Sequence, residues 1–254
     1  MMVRVGIGIV VGLATAGVLW AELEGLDEIL SAHYEALGGV DRLQSVESAR
    51  FLGVMSIGVE AEAPFVMTFK RPLKSRLEFT VEGLTGIQAF DGKTAWMILP
   101  MMGQSEAREM PEGQALAMAE QADFDGPLVD WKSKGHQLAL LGTEELESGQ
   151  AYKIEVTLAN GKVRHYFLDT ATFLTVRQEG NVRIQGNEVE VETRLNNYKE
   201  AGGLMFPHLI ESRAKGAPAG QRFAFDQIEL DIDVSDDLFV MPTSATASDS
   251  PPGQ

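Results

Sequence analysis

The stretch YKIEVTLANGKVRHYFL, residues 152–168, decides the fold. Tyr152, Ile154, Val156 and Leu158 alternate with Lys153, Glu155 and Thr157, a period of two that gives an extended chain one apolar and one wet face. Asn160-Gly161 interrupts the pattern, and a second run follows at 162–168. Asn-Gly accepts the positive φ angles of a tight hairpin turn, so the stretch reads as two antiparallel strands.

The same period recurs on both sides. Phe65, Met67 and Phe69 share a face in 64–70. In 73–82, Leu73, Leu77, Phe79 and Val81 alternate with Lys74, Arg76, Glu78 and Thr80. Val189, Val191 and Leu195 repeat the pattern in 188–195, and Ile228, Leu230, Ile232 and Val234 in 228–234. Asp91-Gly92 and Gly202-Gly203 mark further turns. Strand after short-linked strand implies a meander, a strongly curved sheet or a barrel.

Two segments depart from this period. Leu23, Leu26, Leu30 and Leu37 recur at helical spacing in 22–37, and Gly38-Gly39 closes that helix. A short helical turn is expected over 41–46. The Leu23, Leu26 and Leu30 stripe is expected to pack on the concave side of the sheet. Residues 111–134 begin with Pro111-Glu112 and continue through the helix-favouring run 115–119. After Gly126-Pro127, Leu128, Val129 and Trp131 predict a second short helix. The segment from Thr243 is rich in Ser, Ala, Asp, Pro and Gly and is expected to be a disordered tail.

The N-terminus carries Arg4, then an uncharged run from Val5 to Leu19, then Trp20-Ala21 before the acidic Glu22. This is the layout of a secretory signal, expected to occupy 1–21. The domain proper is therefore expected over 22–242 and the tail over 243–254. With no cysteine the chain offers no disulfide, no Cys metal site and no lipidation Cys at the junction. A formal charge of −16 disfavours nucleic acid and anionic membrane surfaces as partners.

Chemical motifs are scarce. His33, His136, His165 and His208 make no metal-ligand spacing, and no nucleophile elbow or phosphate loop occurs. Asp226, Glu229, Asp231, Asp233, Asp236 and Asp237 are dense, but they lack the Gly and terminal Glu of a calcium loop, so they read as a solvated strand edge. Neither a catalytic group, a metal nor a cofactor is expected. Methionine does stand out: Met97, Met101, Met102, Met110 and Met118 straddle the helical insertion. Such a cluster serves either an adaptable apolar ligand or an irregular core.

Four segments, AHYEALGGVDRL at 32–43, FDGKTAW at 90–96, YFLD at 166–169 and NYKEAGGLMFPH at 197–208, are together similar to the outer-membrane lipoprotein-sorting protein family, which resembles the lipoprotein carriers LolA and LolB. The resemblance implies a mainly β (α+β) fold: an incomplete antiparallel β-barrel or strongly curved half-barrel, with an N-terminal helix and a helical lid. It implies a periplasmic, non-enzymatic, monomeric carrier whose partners are the acyl chain of a lipoprotein or lipid and an inner-membrane exporter, with no stable membrane insertion. An envelope module that senses lipoproteins, or assists an exporter, is the alternative on the same fold. Combining the strand faces with the insertion, an apolar cavity is expected to be lined by Phe65, Met67, Phe69, Leu77, Phe79, Trp96, Met101, Met102, Leu116, Met118, Leu128 and Trp131.

Overall fold

The computed structural model describes residues 15–57, 61–184 and 187–242. The first fourteen residues of the expected signal and the expected tail lie outside the described residues. The chain opens with α1 (Thr15–Ala36) and α2 (Val40–Ser45). Six strands follow: β1 (Ser48–Ile57), β2 (Ala61–Lys70), β3 (Lys74–Val81), β4 (Leu84–Phe90), β5 (Ala95–Leu99) and β6 (Gln104–Glu109). After α3 (Glu112–Gln121) come β7 (Gln137–Leu146), β8 (Gly149–Thr157), β9 (Val163–Asp169), β10 (Thr175–Ile184), β11 (Asn187–Ala201), β12 (Leu204–Ala214) and β13 (Gln221–Leu230).

All 13 strands form one antiparallel sheet in the order β6-β5-β4-β3-β2-β1-β13-β12-β11-β10-β9-β8-β7. Two meanders thus run outward from a central β1–β13 pair, which joins Phe51 to Ile228 and Met55 to Phe223. β6 and β7 are the free edges, so the sheet is a curved half-barrel and does not close. Segment 110–136 links these two edges and carries α3 across the concave side.

Alternation holds along the first strand of the 152–168 hairpin, whereas in the second Phe167 is buried as fully as its neighbours, because Arg177 and Lys153 cover its ring on the other face. Ile154 and Val156 pair with Tyr166 and Arg164, and Gly161 takes φ 81° in the connecting turn. Ile154, Val156 and Leu168 are fully buried because α1 lies on them with Leu26, Ile29 and Leu30. The expected docking of the helix on the concave side is therefore seen for Leu26 and Leu30; the side chain of Leu23 lies outside the described residues. α1 also starts earlier than the expected residue 22. Among the described residues, no helix is long and apolar enough to cross a membrane.

Two groups tie α1 to the loops around it. Tyr34 donates its hydroxyl to the Leu128 carbonyl at 2.6 Å, and burial followed by the charges of Asp130 and Asp27 pushes its pKa up to about 12. His33, 4% exposed, holds the Phe173 carbonyl through Nδ1 at 2.7 Å, and burial lowers its pKa. A lowered folded pKa means that the unfolded chain takes up the proton first. Stability is thus complete above about pH 6.5 and falls as the pH drops through that value. Urea midpoints at pH 7.5 and 5.5 should show this loss in the wild type and a smaller loss in His33→Gln.

Two expectations are corrected at the C-terminal side. The strand predicted over 228–234 ends at Leu230, because Asp231 turns the chain with φ 55° and accepts the Glu47 amide at 3.1 Å. Residues 231–240 then cross the convex face as a strap. Ser48, Lys70, Arg76 and Trp96 donate to the carbonyls of Ile232, Val234, Leu238 and Phe239 in turn, at 2.6–2.8 Å. The acidic cluster is also no strand edge. β13 is central, and Asp231 and Asp236 pin the strap to Arg42 and to Lys70 and Lys74. The second predicted insertion helix is absent as well: 127–135 form turns, with Asp130 at φ 52°.

Candidate functional site

The concave face of the central strands is built from phenylalanine. Phe51 meets Phe69, Phe206 and Phe225 edge-on, with centroids 5.6–5.7 Å apart. Phe65 meets Phe223 and Phe225 in the same way. Edge-to-face contact sets the positive ring edge against a negative face and adds about 0.5–1.5 kcal/mol per pair to simple burial. Phe124, from the loop after α3, caps the group against Phe69 and Phe206. Met67, Phe69, Leu77, Phe79 and Phe223 remain only partly buried here, which leaves apolar surface on the concave side.

Phe79 links this face to a second cluster under α3, formed by Phe90, Met97, Leu99, Met110, Met118 and Ala122. Gly86 sits opposite Phe79, and a Cβ there would come within 2.6 Å of the ring. Glycine at this position leaves room for the tip of the ring.

Between β4, β5, β6 and α3 lies a pocket of about 340 Å³. Met97, Leu99, Met102, Met110, Met118 and Ala117 provide its apolar wall, and Gln88, Arg108, Gln114 and Gln121 its polar one. Four of the five clustered methionines thus converge, and Met101 packs beside them. The order of exposure is telling: Met97 and Met118 are buried, whereas Met102 is 68% exposed at the rim.

The other expected lining residues lie elsewhere. Phe65, Met67, Phe69, Leu77 and Phe79 belong to the phenylalanine face next to the pocket. Leu128 and Trp131 pack against α1. Leu116 is 47% exposed on the outer side of α3 and does not line the pocket. Trp96 is on the wrong face altogether: Met97 points into the pocket, so Trp96 points to the convex side, where Phe239 and Arg76 cover it. Gln88, Leu99, Arg108, Gln114, Ala117 and Gln121 had no sequence signal to mark them. Their convergence depends on α3 docking on β4 and β5.

Two ionic clusters hold the insertion over the concave side. Arg71 reaches from the β2–β3 turn to Asp125 with two bonds at 2.5 and 2.8 Å, and donates to the carbonyls of Leu43 and Val46. Glu120, near the end of α3, accepts from Asn160 at 3.0 Å, from Lys162 at 2.6 Å and from Arg164, all on the β8–β9 hairpin. α3 therefore packs on one half of the sheet and is tied ionically to the other. Among the described residues, no three His, Asp or Glu side chains gather as a metal site.

No protein-family model and no curated protein matches the sequence. Solved structures do match. A LolA superfamily protein from Nitrosomonas europaea superposes with a TM-score of 0.56 at 15% identity, over 83% of this chain and 97% of that one. The chain has the LolA-type fold. A domain described as an outer membrane lipoprotein-sorting protein, from Vibrio parahaemolyticus, gives 0.59 at 11% identity, over 84% and 97%. A DUF1329 family protein from Desulfovibrio piger gives 0.55 at 14% identity, over 85% and 97%. The LolA-type fold accounts for the half-barrel, the helix on its concave side and the insertion laid across it.

Proposed function

We propose that this protein is a periplasmic, non-enzymatic carrier of acylated cargo, a lipoprotein or a lipid, acting in outer-membrane biogenesis and delivered there by a signal peptide at 1–21. The observation that carries this reading is the methionine pocket of about 340 Å³, which adjoins a half-exposed phenylalanine face. That volume lies in the range of small-ligand sites, about 300–1,000 Å³. Methionine is flexible and polarizable, so such a wall fits chains of varied length and bend. Each CH₂ covered would contribute about 0.8 kcal/mol, which allows useful affinity without any catalytic or highly specific polar group. An exporter or acceptor in the inner or outer membrane would supply and receive the cargo.

A fluorescent fatty acid should bind the wild-type protein and brighten in the pocket. Met102→Asp should weaken that binding at least tenfold while changing stability by no more than about 0.5 kcal/mol, since Met102 is exposed at the rim. Leu116→Asp should leave binding unchanged, because Leu116 faces away from the pocket. An unresponsive wild-type protein would refute the carrier reading.

A further inference from the structure

We propose that the methionine pocket takes an amphiphile with one acyl chain and an anionic head, a carboxylate or a phosphate, and that Arg108 holds the head. This rests on the carrier reading and adds the chemistry of the head group to it. Arg108 pairs with Met97 across the β5–β6 ladder, so its guanidinium shares the pocket face with a buried methionine. Its charge is uncommitted. The chain has 37 acidic against 21 basic residues. Among the arginines whose side chains are described, Arg108 alone makes no ion pair; even the exposed Arg213 and Arg222 have Glu192 and Glu62.

The composition of the wall points the same way. No Asp or Glu lines the pocket, although the chain is rich in both. Its polar members are Arg108 and the amides of Gln88, Gln114 and Gln121, all able to donate N–H groups. A guanidinium meets carboxylate or phosphate oxygens with two parallel hydrogen bonds, which a neutral head cannot match. A cationic head would find repulsion and no counter-charge. The volume is at the small end for ligand sites, which suits one chain better than several.

Calorimetric titration of the full chain with dodecanoate, dodecyl phosphate, dodecanol and dodecyltrimethylammonium tests this. Both anions should bind at least tenfold more tightly than dodecanol, and the cation most weakly. Arg108→Gln should bring the anions down to the dodecanol level, and Arg108→Lys should retain part of the preference. An exposed, unpaired side chain can be replaced without unfolding the protein, and the denaturation midpoint of each variant verifies that. Stronger binding of dodecanoate assigns a carboxylate head, stronger binding of dodecyl phosphate a phosphate head, and equal binding the shared anion chemistry; each supports the proposal. Equal affinity for dodecanol and the anions, or a preference that survives in Arg108→Gln, overturns the role of Arg108 and leaves the carrier reading standing. Failure of every amphiphile to bind overturns both.

Discussion

Trp96→Ala is expected to lower the unfolding free energy by about 3–5 kcal/mol, the usual cost of emptying a buried aromatic site. Trp96 is 1% exposed, lies under the strap, and donates Nε1–H to the Phe239 carbonyl at 2.7 Å. Phe239 is itself fully buried, and the Arg76 guanidinium stacks 5.6 Å from the indole. Alanine would leave the strap without its central anchor and Phe239 without its cover. Trp96→Phe keeps an aromatic ring but loses the hydrogen bond, so it should cost about 1–3 kcal/mol through the unpaired carbonyl and the smaller volume. Because Trp96 faces away from the pocket, the folded Trp96→Phe protein should bind an acyl probe as the wild type does. Urea denaturation with parallel probe titration checks both statements. A binding defect in Trp96→Phe at unchanged fold would contradict the placement of Trp96 on the convex face.

Arg71→Ala is expected to cost about 3–5 kcal/mol, the range for removing one partner of a largely buried pair. Its side chain is 21% exposed and that of Asp125 only 10%. Truncation would strand the Asp125 carboxylate, remove the guanidinium donor from the Val46 carbonyl and leave the Leu43 carbonyl with only the Val46 amide at 3.3 Å. Arg71→Lys should recover little, because a single ammonium cannot serve two carboxylate oxygens and two carbonyls in one plane. Phe124, next to Asp125 and 5.8 Å below the Arg71 guanidinium, should loosen from Phe69 and Phe206. Hydrogen exchange across 122–130 should therefore rise in Arg71→Ala more than in the β8–β9 hairpin. A double-mutant cycle with Asp125→Ala separates the pair from the carbonyl contacts. Coupling near zero would show that the carbonyls and not the carboxylate carry the effect.

Strand faces were the most legible part of the fold, because a period of two is a property of the backbone and appears in the sequence wherever one face is dry. Phe65, Met67, Phe69, Leu77 and Phe79 accordingly share the concave side. Turns carried by Asn160-Gly161 and Gly202-Gly203 were equally legible, since positive φ limits which residues can sit there. Helix α1 and its buried stripe followed from spacing. The methionine cluster showed in composition, but whether it bordered a space or filled a core did not.

Alternation gives two faces and does not say what covers each of them. Trp96 was apolar and adjacent to the methionines, and only the strap at 231–240, arriving from the far end of the chain, makes the convex face dry at that point. Val234 kept the strand period of Ile228 and Leu230 yet is buried in the strap, on the other side of the sheet from them, because Asp231 breaks the chain first. Local periodicity and turn chemistry set the antiparallel β architecture, the docked helix and the presence of a mid-chain insertion. Tertiary structure alone decided which edges stay open, which face the strap seals, and which side chains meet in the pocket. The strap depends on contacts between segments more than a hundred residues apart, such as Ser48 with Ile232 and Trp96 with Phe239, and the pocket on the docking of α3 on β4 and β5; no local pattern records either pairing.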